Sequence, residues 1–361
     1  MIRVLNIISG LNNAGTEAVV MNYYRHIDRT EVQFDFLVLD EGPGYYESEI
    51  LSLGGRIFKI PAFRSDPIEC MSKRRKFFKT HKYDIVEIHS PSALRYAYCK
   101  LARKSGAKKV IFHIHNCCDK NGFLINYARK QVEKYCDEIV SCSQTAAISV
   151  MGRNADKIVP NAIDCDLYGF NIDTRNKVRQ HFNIGASEKV IGHVGRFSDQ
   201  KNPLFLLEAF SQAVKKDGSL KLIMKGFGEL ESDVRDKINE LNVNGSVIIA
   251  DDKFTAKELY NSFDLFVLPS KYEGLPVVSI EAQVNGLRSV LSKNITPECN
   301  ISGYVKFEEL STETWKEEFL TDENYLRIPD DVNFINSEYD INYAAKQRQR
   351  NYMEINNEAK N

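Results

Sequence analysis

The chain has 361 residues and a net charge of −1, with 43% apolar and 27% charged side chains. That length exceeds one ordinary core and points to two domains, and the composition excludes general disorder. The charge excludes a polyanion-seeking chain as a whole. Residues 1–180, however, hold 27 Lys and Arg against 20 Asp and Glu, while the remainder holds 21 against 29. A basic first half suits an anionic partner or a membrane surface.

In chain order, "RVLNIIS", "QFDFLVLD", "RIFKI", "YDIVEIHS", "KVIFHIHN" and "DEIVSCS" read as strands, and 16–27, 45–53, 67–80, 92–105 and 126–135 carry helical spacing. Such alternation predicts a parallel sheet covered by helices. The opening run reads as a first buried strand rather than a signal peptide. "SKRRKFFKTHK" at 72–82 reads as a solvated amphipathic helix or, with its two interleaved phenylalanines, as a peripheral membrane contact.

The pattern pauses in a polar stretch near 165–185 and resumes with "VIGHVGRF", "LKLIMKG", "SVIIAD", "DLFVLPS" and "RSVLS". The expected fold class is therefore α/β, with two Rossmann-like doubly wound domains at 1–170 and 171–335. A ligand cleft is expected where the carboxyl ends of their strands face one another. Residues 336–361 read as a charged terminal helix with a frayed end, and the first domain is its candidate packing partner. No apolar run reaches about 18 residues, so no membrane span is expected. Eight scattered cysteines without a CxxC pair fit reduced, cytoplasmic thiols.

Five stretches carry chemistry. In "SGLNNAGTEAVVMNYY", Gly10 and Gly15 flank a polar turn before a helix, suiting either backbone approach to a phosphate or a plain βα turn. In "GHVGRFSDQKNP", Gly195 follows a strand, and Arg196 and Lys201 supply two cations able to neutralise a diphosphate just before a helix start at Asn202-Pro203. In "LIMKGFGELESDV", Gly226, Phe227 and Gly228 allow a tight turn or close approach of a base or ribose. "VIFHIHNCCD" places His113 and His115 on one strand face; with Cys117 and Cys118 they invite a zinc reading, but the spacing matches no usual zinc motif and no metal site is expected. In "PSKYEGLPVVSIEAQVNG", Glu273 precedes Gly274-Leu275-Pro276, with Pro276 read as the first helical position and Glu281 inside the helix.

Glu273 and Glu281 match an E-x7-E pattern, and with "GRFSDQKNP", "KGFGEL", "VPNAID" and "SGLNNAGTE" the chain resembles a retaining glycosyltransferase of family 4, closest to those of bacterial capsule and exopolysaccharide assembly. The resemblance covers roughly residues 1–320 and implies the GT-B fold, an acceptor-binding first domain and a nucleotide-sugar-binding second one. It implies a hexose or N-acetylhexosamine moved from a UDP-sugar to a growing glycan or lipid-linked acceptor, without a metal cofactor, at the inner face of the membrane.

Arg196 and Lys201 would hold the donor diphosphate, and Glu281 the ribose hydroxyls. Glu273 would face the transferred sugar, with Gly274, Leu275 and Pro276 beside it. Gly195, Gly226 and Phe227 would line the donor site, Gly15 would lie near the donor phosphate and His115 near the acceptor. The chain departs from the family's usual pattern at Ala14, Ala162 and Arg288. A nucleotide-sugar epimerase on the same fold and an inactive sugar-nucleotide-binding subunit are the alternatives.

Overall fold

A computed structural model describes residues 1–12, 15–63, 65–117, 122–329, 332–335 and 337–358, with side chains through Ile355; Ala14 and Cys118 lie outside the described residues. The chain divides into two compact units, Met1–Ile163 with Asn336–Asn361, and Asp164–Ile335. The junction read at 170/171 falls inside the second unit, because the short helix Cys165–Tyr168 packs on the helix Val277–Val284 there.

The first unit is built on seven parallel strands: β1 (Ile2–Ile8), β2 (Val32–Val38), β3 (Ile57–Lys59), β4 (Ile85–His89), β5 (Lys109–Ile114), β6 (Glu138–Ser141) and β7 (Lys157–Ile158). Their order is β3-β2-β1-β4-β5-β6-β7. The central strands are buried along their length, which is why they read as continuous apolar runs rather than alternating ones. The order reverses between β1 and β4, so the crevice for a ligand opens at the carboxyl ends of those strands. Two-residue β7 gave no sequence signal.

Two expectations for this unit change in detail. In the helix Pro67–Thr80, capped by Asp66 accepting from the Glu69 amide at 2.8 Å, Phe77 and Phe78 are both buried. The interleaved phenylalanines belong to the core, which leaves the basic residues and the exposed Ile68 for any membrane contact. The terminal helix Ile341–Glu358 packs on the helix Gly15–His26 and on β1. That is the partner the sequence reading named, but not all of its charge is solvated: it buries Arg348, 6% exposed, and Tyr352 against Glu87 of β4.

The second unit holds six parallel strands: β8 (Lys189–Val194), β9 (Leu220–Lys225), β10 (Val247–Ile249), β11 (Leu265–Leu268), β12 (Arg288–Ser292) and β13 (Val305–Glu308). They are ordered β10-β9-β8-β11-β12-β13, so the reversal falls between β8 and β11. The edge strand β13, half-buried and carrying Lys306 and Glu308, escaped the sequence reading because it lacks an apolar run. The lone tryptophan, Trp315, is fully buried with Phe319, Phe205 and the helix Pro203–Val214. No helix among the described residues is long and apolar enough to cross a membrane.

Candidate active site

The loops that leave β8 and β11 carry the strongest constellation. Lys201 Nζ lies 2.6 Å from Glu273 Oε1, and the two side chains are 16% and 7% exposed. The backbone makes this pairing inevitable. The amide of Lys271 donates to the Gln200 carbonyl at 2.8 Å, and Gln200 Nε2 donates to the Tyr272 carbonyl at 3.0 Å. Lys271 also reaches Asp199 at 2.5 Å. Asn202 takes a left-handed conformation, φ 56°, that turns the chain into the helix begun by Pro203. The aliphatic stem of Lys201 lies over Gly195, where a Cβ would sit 3.4 Å from Lys201 Cδ.

Gly226 and Gly228 are required by packing of protein on protein. A Cβ on Gly226 would stand 1.9 Å from the Gly195 carbonyl oxygen, and one on Gly228 would stand 2.4 Å from that of Phe197. The amide of Phe197 donates to the Phe227 carbonyl at 2.9 Å, tying the two glycine loops together. Phe227 itself is 69% exposed, an unusual position for an aromatic ring on a strand-end loop. Arg196 is exposed and its Nε donates to Glu229 at 3.1 Å. It is therefore a cation shared with a surface carboxylate, in contrast to the enclosed Lys201.

Pro276 stands one residue earlier than expected: it is the N-cap, and the helix starts at Val277. A proline suits this place, since its carbonyl accepts the Ser279 amide at 3.0 Å and its missing N–H costs nothing there. No side chain caps this helix. One turn further on, Glu281 is held by two hydroxyls that sequence reading did not foresee: Tyr168 donates to Oε1 at 2.7 Å and Tyr260 to Oε2 at 2.8 Å. Burial pushes the Glu281 carboxyl above its ordinary range and the two hydroxyls oppose that. Spacing alone could not reveal these tyrosines, which come from elements remote in the chain.

In the first unit, helix Gly15–His26 starts at Gly15, and a Cβ there would meet open space. Arg95, also unforeseen, crosses the ends of β1 and β4, donating to Ser9 Oγ at 2.8 Å and to the His89 carbonyl at 3.2 Å. His115 is only 7% exposed, and both ring nitrogens have protein partners: Nε2 contacts His89 Nδ1 at 2.9 Å and Nδ1 contacts Asn161 Oδ1 at 3.3 Å. The ring is therefore enclosed, with His89 on one side and Asn161 on the other. Cys117 is half-buried, and Cys118 lies outside the described residues.

Two doubly wound parallel sheets, with fixed cations and carboxylates at the carboxyl ends of the second, define a glycosyltransferase of the GT-B class. Residues 13–167 match the family model described as Glycosyltransferase Family 4, and residues 174–304 match that of Glycosyl transferases group 1. The chain is 33% identical to EpsF of Bacillus subtilis (strain 168), a protein assigned as a glycosyltransferase, over 81% of this chain and 80% of that one. It is 27% identical to the capsular polysaccharide biosynthesis glycosyltransferase CapH of Staphylococcus aureus, over 98% and 99%. Anabaena HepE, solved in complex with UDP-glucose, shares the fold with a TM-score of 0.73 at 16% identity, covering all of both chains. The chain belongs to the family-4 glycosyltransferases.

Proposed function

We propose that this enzyme is a retaining transferase that moves a hexose or N-acetylhexosamine from a UDP-sugar to a growing cell-surface glycan or its lipid-linked precursor. The observation that carries the reading is the enclosed pair Lys201–Glu273 at the switch point of the second sheet. Breaking the sugar–phosphate bond leaves positive charge on the sugar and negative charge on the departing diphosphate. Lys201 and Arg196 answer the second charge without a metal ion, and the uncapped start of the helix Val277–Val284 adds its dipole. Glu273 answers the first, next to Gly274, Leu275 and Pro276.

Glu281, oriented by two tyrosines, accepts the ribose hydroxyls. Exposed Phe227, between Gly226 and Gly228, offers a face for the base. Gly195 keeps the backbone low under the diphosphate; the first unit, where Gly15 opens a helix with open space beside it, takes the acceptor. His115 contributes by exchanging its long bond to Asn161 for an acceptor hydroxyl. The UDP-glucose in HepE supports a UDP-sugar donor, and the name of CapH supports a polysaccharide acceptor; EpsF and CapH are both named as glycosyltransferases, which does not favour the epimerase alternative.

The test is UDP release from a panel of UDP-sugars with and without a lipid-linked glycan acceptor, followed by NMR of the product's anomeric centre. Acceptor-independent release, or an inverted centre, overturns the reading.

A further inference from the structure

The first unit buries three imidazoles side by side. His89 ends β4, His113 lies on β5 and His115 follows it; one ring nitrogen from each lies within 4.8 Å of those of the other two. In each ring the remaining nitrogen is pinned to an oxygen. His113 Nδ1 meets Glu87 Oε1 at 2.6 Å, His89 Nε2 meets Asn6 Oδ1 at 3.0 Å, and His115 Nδ1 meets Asn161 Oδ1 at 3.3 Å. An oxygen acceptor fixes the proton on the nitrogen that faces it. The three other nitrogens, His89 Nδ1, His113 Nε2 and His115 Nε2, are then left with lone pairs.

Two of those lone-pair nitrogens stand 2.9 Å apart, and the third, His113 Nε2, is buried without a hydrogen-bond partner. Asn6 Nδ2 is a second buried atom without one. Beside them is a cavity of about 10 Å³, lined by the same histidines, Asn6 and Glu87, which is roughly room for one water.

We propose that His89, His113 and His115 bind a single transition-metal ion of the zinc class, with one water in the adjoining cavity as its fourth ligand. One ion resolves each anomaly at once. It takes the place of the direct contact between His89 Nδ1 and His115 Nε2, whose 2.9 Å spacing is near the ~3.3 Å expected for two nitrogens on a tetrahedral ion. It gives His113 Nε2 a partner, and its water accepts the hydrogen of Asn6 Nδ2. The all-nitrogen donor set selects zinc, cobalt or copper over magnesium and calcium, which favour oxygen. Glu87, Asn6 and Asn161 form the oxygen ring that orients the ligands. The proposal does not depend on the donor assigned above. Sequence spacing concealed it because His89 lies on the strand next to that of His113 and far from it in the chain.

The experiment uses the full chain without a polyhistidine tag, stripped by chelator and titrated with Zn²⁺ or Co²⁺. One equivalent of Zn²⁺ retained through gel filtration, with tetrahedral ligand-field bands from Co²⁺, is the expected result. His113→Ala and His89→Ala lower Zn²⁺ affinity at least about tenfold, Asn6→Ala by about 10–100-fold, and Cys117→Ala leaves it unchanged. A folded chain that retains no Zn²⁺ and shows no Co²⁺ bands overturns the proposal, as does unaltered affinity in folded His113→Ala. If the variants do not fold, the parent's stoichiometry and cobalt spectrum decide.

Discussion

Lys201 and Glu273 form a 2.6 Å ion pair between loops that leave neighbouring strands of the second sheet, and each is mostly enclosed. A charge pair in such a place is costly unless both members have work to do. Lys201→Ala or Glu273→Gln should lower kcat by about 10²–10³, equivalent to about 3–4 kcal/mol in the barrier. Lys201→Ala also strands a buried carboxylate, so its melting temperature should fall. The double variant Lys201→Met/Glu273→Gln should regain that stability without regaining activity. Recovery of turnover in the double variant would reduce the pair to a structural clasp.

On the proposal that Lys201 and Arg196 supply the charge opposite the diphosphate, added Mg²⁺ or Mn²⁺ should leave the transfer rate within about twofold of its value without them. A rate that depends on millimolar Mn²⁺ would mean that Lys201 and Arg196 do not suffice.

In its proposed role Glu281 accepts hydrogen bonds from ribose hydroxyls, which its ionised form does best. Burial raises its carboxyl, while Tyr168 and Tyr260 lower it. Removing either donor lets burial prevail and raises it further. Tyr260→Phe should therefore weaken UDP affinity more at pH 5.5 than at pH 8, measured by calorimetry. An equal loss at both pH values would confine Tyr260 to packing.

Most strands were legible because parallel sheets buried on both faces need unbroken apolar runs, and "VIGHVG" or "DLFVLPS" offer little else. The short or charged edge strands β7 and β13 were not legible, since they take their strand character from a neighbour rather than from their own composition. Lys201 and Glu273 could be picked out because each follows a strand in a patterned loop, and Glu281 because it lies eight positions after Glu273 in the helix that follows. Tyr168, Tyr260, Arg95 and Arg348 could not, for their partners are fixed only when remote segments meet. Phe77 and Phe78 misled in the opposite sense: adjacent to a basic run, they look solvent-facing, yet the register of the helix turns both inward.

That register leaves Arg75, Lys76 and Lys79 on the exposed face of the helix, beside Ile68 and Met71. Attraction to a bilayer should then be electrostatic. The chain should co-sediment with vesicles of phosphatidylglycerol but not phosphatidylcholine, and 0.5 M salt should release it. Each of Arg75→Gln, Lys76→Gln and Lys79→Gln should weaken binding about fivefold. Binding that persists in the triple variant would assign the contact to another surface.

Arg348 of the terminal helix reaches across the first unit to Glu87, which also accepts from Tyr352 at 2.6 Å. Burial alone would raise the Glu87 carboxyl, but Arg348 and the contact with His113 outweigh it and hold the group well below its usual range. A carboxyl depressed in the fold contributes stability above its unfolded pKa and loses it as the pH falls toward the folded value. In Arg348→Met the burial effect is no longer countered by the guanidinium, so the carboxyl rises and the fold favours its protonated form. The variant should lose about 3–5 kcal/mol at pH 7 and less at pH 5, by urea titration against the parent at each pH. Arg348→Met/Glu87→Gln should restore most of the loss at pH 7, because no buried charge then remains without its partner. A deficit in Arg348→Met that is the same at both pH values would show that the arginine serves by packing on Tyr352 rather than by its charge.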